Sequence, residues 1–369
     1  MKNQQINSTA SERITSVDFF RGLTMFLLIG ESTGMFHYIG KIDTGFTRFL
    51  GTQLTHHEWH GLYFWDLIQP FFMFIVGVAI PFAVANRLKK GATNKSLYLH
   101  ALKRSALLFF LGLALYTSGE DRIVLRLQNV LAQLSVTYLV AFLIMRWKWF
   151  YQLALSLFLL LVADLAYRYF PVAGFNQPWE PFQNLGSWVN NWLENTDKAS
   201  IWASLNAVST TAHTIWGVLC GKILMESKPA AEKIKLLVIA GVAALVVGFG
   251  LDLLSITPII KKIATSSFVL ASGGWSMLAL ALSYWMIDIK KWAAGTRAFI
   301  VVGMNCIFIY MVFEVGGARI LSEIYKPFIS ALFGRGGEIF TGMLISSAVW
   351  FSLWYVTYWM YQRKIFIKI

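Results

Sequence analysis

Long apolar runs recur from one end of this chain to the other, as in FFMFIVGVAIPFAVA at residues 71–85. A helix needs about 20 such residues to cross a bilayer core. Of the 369 residues, 57% are hydrophobic and only 14% charged, against about 25% charged in soluble domains. The runs do not alternate as barrel strands would. The chain therefore reads as an all-α, polytopic integral membrane protein. Ten spans are expected, at roughly 17–37, 62–85, 101–118, 127–145, 149–169, 201–224, 235–255, 266–288, 297–316 and 338–361. They make one domain over 1–369, with a short tail at 1–15 and a long polar loop at 170–200. The first run is long, with no small-residue cleavage site, so it reads as a retained span and not a signal peptide.

The net charge of +13 would point to nucleic acid in a soluble protein. In a membrane protein, Lys and Arg gather in cytoplasmic loops and set orientation. About two-thirds of the 32 Lys and Arg fall at 2–21, 87–104, 146–148, 222–235, 290–297 and 363–368, which predicts both termini in the cytoplasm. No nucleic-acid partner is expected, and part of the excess suits an anionic ligand at the inner face. Cys220 and Cys306 lie inside apolar runs and read as small core residues.

Ionisable groups inside spans are expensive and face a partner or a wet cavity. Asp18 and Arg21 share one face of the first helix, three residues apart. Glu31 lies deeper, and Asp66 sits near the outer start of the second span. Asp164, Asp252 and Asp288 fall at span ends, as interfacial anchors would. Arg126, Gln128, Asn129 and Gln133 wet the fourth span, Asn206 and His213 the sixth, and Asn305 and Glu314 the ninth. Polar groups on so many helices imply an enclosed polar volume: an acceptor site, a solute path or a proton relay. The 170–200 loop carries Trp, Asn and Gln, which suit either the membrane interface or stacking on a sugar.

Three of the six histidines, His56, His57 and His60, crowd the outer mouth of the second span. Imidazole's unperturbed pKa, about 6.5, lets it take and return protons at neutral pH. Asp66 or Glu58 would orient the ring and favour its protonated form. His56 and His60 have helical spacing for a metal, but no third ligand follows, so no metal is expected.

Two stretches, SVDFFRGLTMFLLI (Ser16 to Ile29) and HHEWHGLYFWDLIQPFFMFIVG (His56 to Gly77), resemble the heparan-alpha-glucosaminide N-acetyltransferase family and its bacterial relatives. The family's pattern is S-[VL]-D-x-x-R-G, then H-x-x-W-x-G-[LF]-x-x-x-D-L-x-x-P-x-F-x-F-x-x-G. RLQNVLAQLSVTY (Arg126 to Tyr138), SLNAVSTTAHTIWGVLCG (Ser204 to Gly221), KKIATSSFVLASGGWSMLALALSYWMIDI (Lys261 to Ile289) and GMNCIFIY (Gly303 to Tyr310) are similar to its later blocks, in order. The third block has Asn129 for Gly and Leu134 one place along from the usual basic residue, and two further places depart. DKASIWAS stands for D-P-E-G before the sixth span, and Glu31 and Ser32 stand where the first span usually ends near an Asn.

The resemblance implies an acyltransferase in the bacterial inner membrane. It would carry acetyl from cytosolic acetyl-CoA to an amino sugar or related glycan on the periplasmic side. The histidine three before Trp59 is His56, the implied catalytic residue, as general base or acetyl carrier; His57 is second choice, and Asp66 their partner. Donor contacts are expected from Asp18, Arg21, Arg104, Ser266, Ser267 and Asn305, since Arg and Lys at the inner face suit phosphates. Acceptor contacts are expected from Trp59, Glu31, Arg126 and Gln133. Membrane lipid and a homodimer complete the partners considered. The rival class is a permease for amino sugars or cell-wall fragments, but no inverted repeat or paired broken helices of the transporter kind stand out.

Sidedness is testable. Single cysteines in the His56 loop and the 170–200 loop should react with an impermeant thiol reagent applied from outside. Cysteines at 86–100 and 225–235 should not, and outside labelling of 86–100 overturns the orientation.

Overall fold

The computed structural model describes residues 14–118, 120–196, 200–292 and 294–367. Residues 1–13 of the expected tail, 197–199 of the long loop and the last two residues lie outside these. Among the described residues the fold is all-helical, with a lone antiparallel bridge between His60 and Ile260. In chain order the helices are α1 Thr15–Ser32, α2 Met35–Lys41, α3 Gly45–Gln53, α4 Ile68–Lys89 and α5 Asn94–Thr117. Then come α6 Val130–Ile144, α7 Trp149–Arg168, α8 Leu185–Glu194, α9 Asn206–Met225 and α10 Ala230–Leu253. The last are α11 Ser266–Ser283, α12 Thr296–Gly303, α13 Cys306–Glu314, α14 Gly317–Phe333 and α15 Glu338–Gln362.

A helix lies over each of the ten expected stretches. Among the described residues, six are long and apolar enough to cross a membrane: α4 with the 3-10 turn before it, α5, α7, α10, α11 with the π turn after it, and α15. The ninth stretch is not one straight helix. It breaks between α12 and α13 with a bend of 73°, because Asn305 at the break turns its amide to the chain end. Its Nδ2 donates to Ile365 O at 3.1 Å, and its Oδ1 accepts from Ile367 N at 3.0 Å. Helices α2, α3, α8 and α14 fill segments that periodicity left as loops.

Burial sorts the spans into an inner and an outer set. The apolar window of α4 is 78% buried and that of α11 67%, against 17% for α7 and α10. Uniformly apolar helices tolerate either place, since lipid and core are equally apolar; close packing needs small residues instead. α4 meets α9 where Gly77 and Gly217 touch, and a Cβ on Gly217 would stand 2.1 Å from Phe74 O. α1 meets α12 through Gly22 and Gly303 in the same way. The aspartates at helix ends tie elements together. Asp288 accepts the backbone N–H groups of Thr15 and Ser16, both at 3.0 Å, and so caps α1. Asp164 bonds Arg168 and Thr257.

The α4–α9 contact is therefore sensitive to single methyl groups. Gly217→Ala should destabilise by about 1–3 kcal/mol, the usual cost of overpacking, and lower the thermal unfolding midpoint in detergent. Gly250→Ala in α10, where a Cβ meets nothing within 4 Å, should not.

Candidate active site

The site is organised by Asp66. It lies in the 3-10 turn Phe64–Leu67 that leads into α4, and is 1% exposed. An acid three residues into a helix start commonly reaches back to the first free N–H; here Asp66 Oδ2 accepts from Tyr63 N at 3.0 Å. The same oxygen accepts from His57 N at 3.2 Å. Oδ1 meets His56 Nδ1 at 2.9 Å and Lys261 Nζ at 3.5 Å. An acceptor surrounded by four donors is a carboxylate, so the proton between Asp66 and His56 sits on Nδ1. That leaves Nε2 bare. His56 keeps 40% of its side chain exposed, so this free edge is reachable.

Lys261 comes from the loop between α10 and α11 and is 7% exposed. Its Nζ also lies 3.1 Å from His56 Nδ1 and 5.6 Å from the centre of the Trp202 ring. Burial lowers its pKa to about 8, against the pull of Asp66. Burial, aided by Lys261 and Lys262, also holds His56 below the ordinary imidazole value, outweighing Asp66. The expected effect of the carboxylate, a ring biased towards its protonated form, is present but outweighed. Trp202 stands 5.4 Å from the His56 ring, and Glu31 on α1 lies within electrostatic range of Lys261.

The other histidines go elsewhere. His57 packs on Tyr63, ring centres 4.5 Å apart, with Nδ1 buried and without a partner. His60 Nε2 meets Asp252 Oδ1 at 2.7 Å. Among the described residues no three His, Cys, Asp or Glu are grouped to hold a metal. Trp59 donates from Nε1 to Trp179 O at 2.7 Å, so it anchors the long loop beside the site.

Farther in, polar residues of the bundle bind one another. Arg126 Nε and Gln128 Nε2 donate to Glu194 of α8, each at 2.9 Å. Gln133 Oε1 accepts from Gln69 Nε2 at 3.0 Å and Thr210 Oγ1 at 3.2 Å, a brace joining α4, α6 and α9.

At the opposite end of α4 a cleft of about 190 Å³ opens between α1, α4, α5, α6 and α13. One end is cationic, with Arg21, Arg87 and Arg104, and Arg87 donates to His100 Nε2 at 2.6 Å; apolar walls run up to Phe72. Arg21 pairs with Asp18 at 2.8 Å, and Arg104 lies over Tyr138 at 4.6 Å. The Nε groups of both Arg21 and Arg104 are buried without a hydrogen-bond partner. Two orphaned guanidinium N–H groups in one cleft fit an anionic ligand, since buried donors are otherwise paired. From Arg87 to Phe72 the cleft follows one face of α4 for about 22 Å, and Asp66 lies about 9 Å beyond, at 1.5 Å per residue.

The family model described as heparan-alpha-glucosaminide N-acetyltransferase, catalytic, matches residues 13–256. This chain belongs to that family. The heparan-alpha-glucosaminide N-acetyltransferases of Homo sapiens and Mus musculus are each 24% identical to it over 98% of its length. The chain spans 61% of either relative. In this heparan-alpha-glucosaminide N-acetyltransferase family member, the matched region holds His56, Asp66 and the cleft residues Arg21, Arg87, His100 and Arg104.

Several expected contacts fall apart from one another. Arg21 and Arg104 do share the cleft. Ser266 and Ser267 are at the far end of the bundle, where Ser267 donates to Pro258 O at 2.7 Å and Ser266 to Asp164 at 3.3 Å. Asn305 is fully buried with its amide committed to the chain end. Lys261, Trp202, Arg87 and His100 were not singled out from the sequence. A basic pair, Lys261–Lys262, in a short loop between two apolar runs was the one visible sign of the first.

Proposed function

We propose that this protein is a transmembrane acetyltransferase that carries acetyl from cytosolic acetyl-CoA to the amine of an amino sugar or related glycan on the periplasmic face. The observation that supports the reading is the cleft along α4, cationic at one end and running along the helix whose other end carries Asp66. The names of the human and mouse relatives supply the reaction class. Ten spans with both termini cytoplasmic put the cationic end inside, where Arg21, Arg87, His100 and Arg104 meet the phosphates of coenzyme A. The pantetheine arm runs along the apolar wall, and the thioester passes the Gln69–Gln133 brace to reach His56. On this reading the protein is one domain in a bacterial inner membrane.

The chemistry follows from the bare Nε2. The acceptor amine attacks the thioester carbonyl, forming C–N as C–S breaks. Nε2 takes the amine proton and returns it to the departing thiolate, which leaves as the free thiol. Asp66 holds the Nδ1–H tautomer throughout. The same Nε2 is placed to accept the acetyl group first and pass it on. Labelled acetyl retained on wild type without acceptor, and absent from His56→Ala, distinguishes that route.

Two measurements test the reading. Acetyl-CoA should raise the thermal midpoint of the purified protein, because a ligand that binds the folded state alone stabilises it. Arg104→Ala should weaken that shift about tenfold in ligand concentration, since charged hydrogen bonds contribute about 1.5–3 kcal/mol. Absence of any shift at saturation favours the permease. His56→Ala should keep the shift yet lose transfer by about 10²–10⁴-fold. Near-normal transfer by that variant removes His56 from the mechanism.

A further inference from the structure

We propose that Lys261 is a positioning residue of the His56 centre: its ammonium, seated on Asp66, keeps a second proton off the imidazole so that Nε2 stays available as a base. The inference rests on the reading of His56 as the group that handles the acceptor proton. It concerns a residue from a different part of the chain, 205 positions from His56.

The geometry carries it. Nδ1 already donates to Asp66 Oδ1 at 2.9 Å, so it has no lone pair left for Lys261 at 3.1 Å. The ammonium therefore has Asp66 Oδ1 as its partner. A protonated ring would set two cations side by side in a half-buried place, which opposes that form. Asp66 alone would do the reverse, because a lone carboxylate beside histidine favours imidazolium. Lys261 thus lets Asp66 fix the tautomer without locking the ring in a charged state. Trp202 covers the ammonium on one side and Lys262 donates to Glu58 O, so the lysine is held in place.

The charged and titratable groups around the ring are accounted for. Asp66 faces it from the turn before α4, and Lys261 and Lys262 face it from the loop before α11. Glu31 reaches Lys261 from α1. His57, on the same loop as His56, turns its ring to Tyr63. Of these, Lys261 is the cation in contact with Nδ1. It is charged through neutral pH, its own pKa being lowered by burial to about 8.

The sign follows directly. His56 works as the neutral ring, so transfer is lost as pH falls through its pKa. Removing the Lys261 charge raises that pKa and moves the acidic limb to higher pH.

The test reads His56 itself, apart from turnover. Carbethoxylation of the His56 peptide by diethyl pyrocarbonate is followed against pH by mass spectrometry, on full-length protein in nanodiscs. In wild type the midpoint should lie below 6.5. In Lys261→Met it should rise by about one pH unit, the size expected when a neighbouring like charge is removed, and the acidic limb of kcat/KM should rise with it. Lys261→Arg keeps the charge and should restore the wild-type midpoint. The acetyl-CoA thermal shift should be unchanged in both, which also reports folding; Lys261→Gln replaces Met if the apolar variant fails to fold. An unmoved midpoint in Lys261→Met or Lys261→Gln, or the same rise in Lys261→Arg, overturns the role of Lys261. That result leaves the His56 assignment standing, whereas normal transfer by His56→Ala removes the assignment itself.

Discussion

A single buried carboxylate holds the mouth of this bundle together. Asp66 takes hydrogen bonds from the loop before α4 and from the backbone of the turn it sits in, and an ion pair from the loop before α11. A charge in such a place is tolerated because each oxygen has two donors. The arrangement also explains why the histidines crowd there. His56 and His57 both serve Asp66, one through its ring and one through its backbone, while His60 ties the same loop to Asp252 at the end of α10. The histidine motif and the distant loop that carries Lys261 thus meet on one residue at the top of the most buried span.

The rest of the bundle keeps that residue fixed with respect to the cleft. α4 is lined on one face by the cleft and on the other by the glycine contact with α9. Backbones in direct contact leave no room for a side chain to adjust, so the distance between the cationic end and Asp66 is set by the rise of one helix. Polar groups inside the bundle largely satisfy one another. Glu194 takes Arg126 and Gln128, and Gln133 takes Gln69 and Thr210. The exceptions with a ligand-like meaning are the two arginine Nε groups in the cleft. Unspent donors at one end and an unspent Nε2 at the other are the features that an enzyme with a donor arm between them would need.

How much of this could be read from the residues depends on the range of the interaction. Apolar run length is local, and helices lie over all ten stretches. The pairing of His56 with Asp66 spans ten residues within one motif, and it was visible as a titratable ring beside an acid at the same helix mouth. Arg21 and Arg104 were legible as cations set beside apolar runs. Lys261 was not, because a lysine in a short loop reads as a solvated charge until a distant carboxylate is placed against it. The same holds for Trp202, which falls at the start of an expected apolar span and reads there as an ordinary interfacial tryptophan. Asn305 looked like a polar group awaiting a ligand, yet the chain end consumes its amide and breaks the helix there. Periodicity could not show that break, since both halves are apolar. The direction of the His56 shift was also misread, because desolvation and the lysine are tertiary facts, whereas Asp66 is a near neighbour in sequence.

The account turns on one distance. A cryo-electron microscopy structure with a non-transferable thioether analogue of acetyl-CoA would measure it. The account predicts the nucleotide phosphates against Arg21 and Arg104, and the acyl carbon about 3–3.5 Å from the acceptor position at His56 Nε2. An analogue lying wholly below Phe72, with its acyl end about 9 Å or more short of Asp66 along α4, would contradict it.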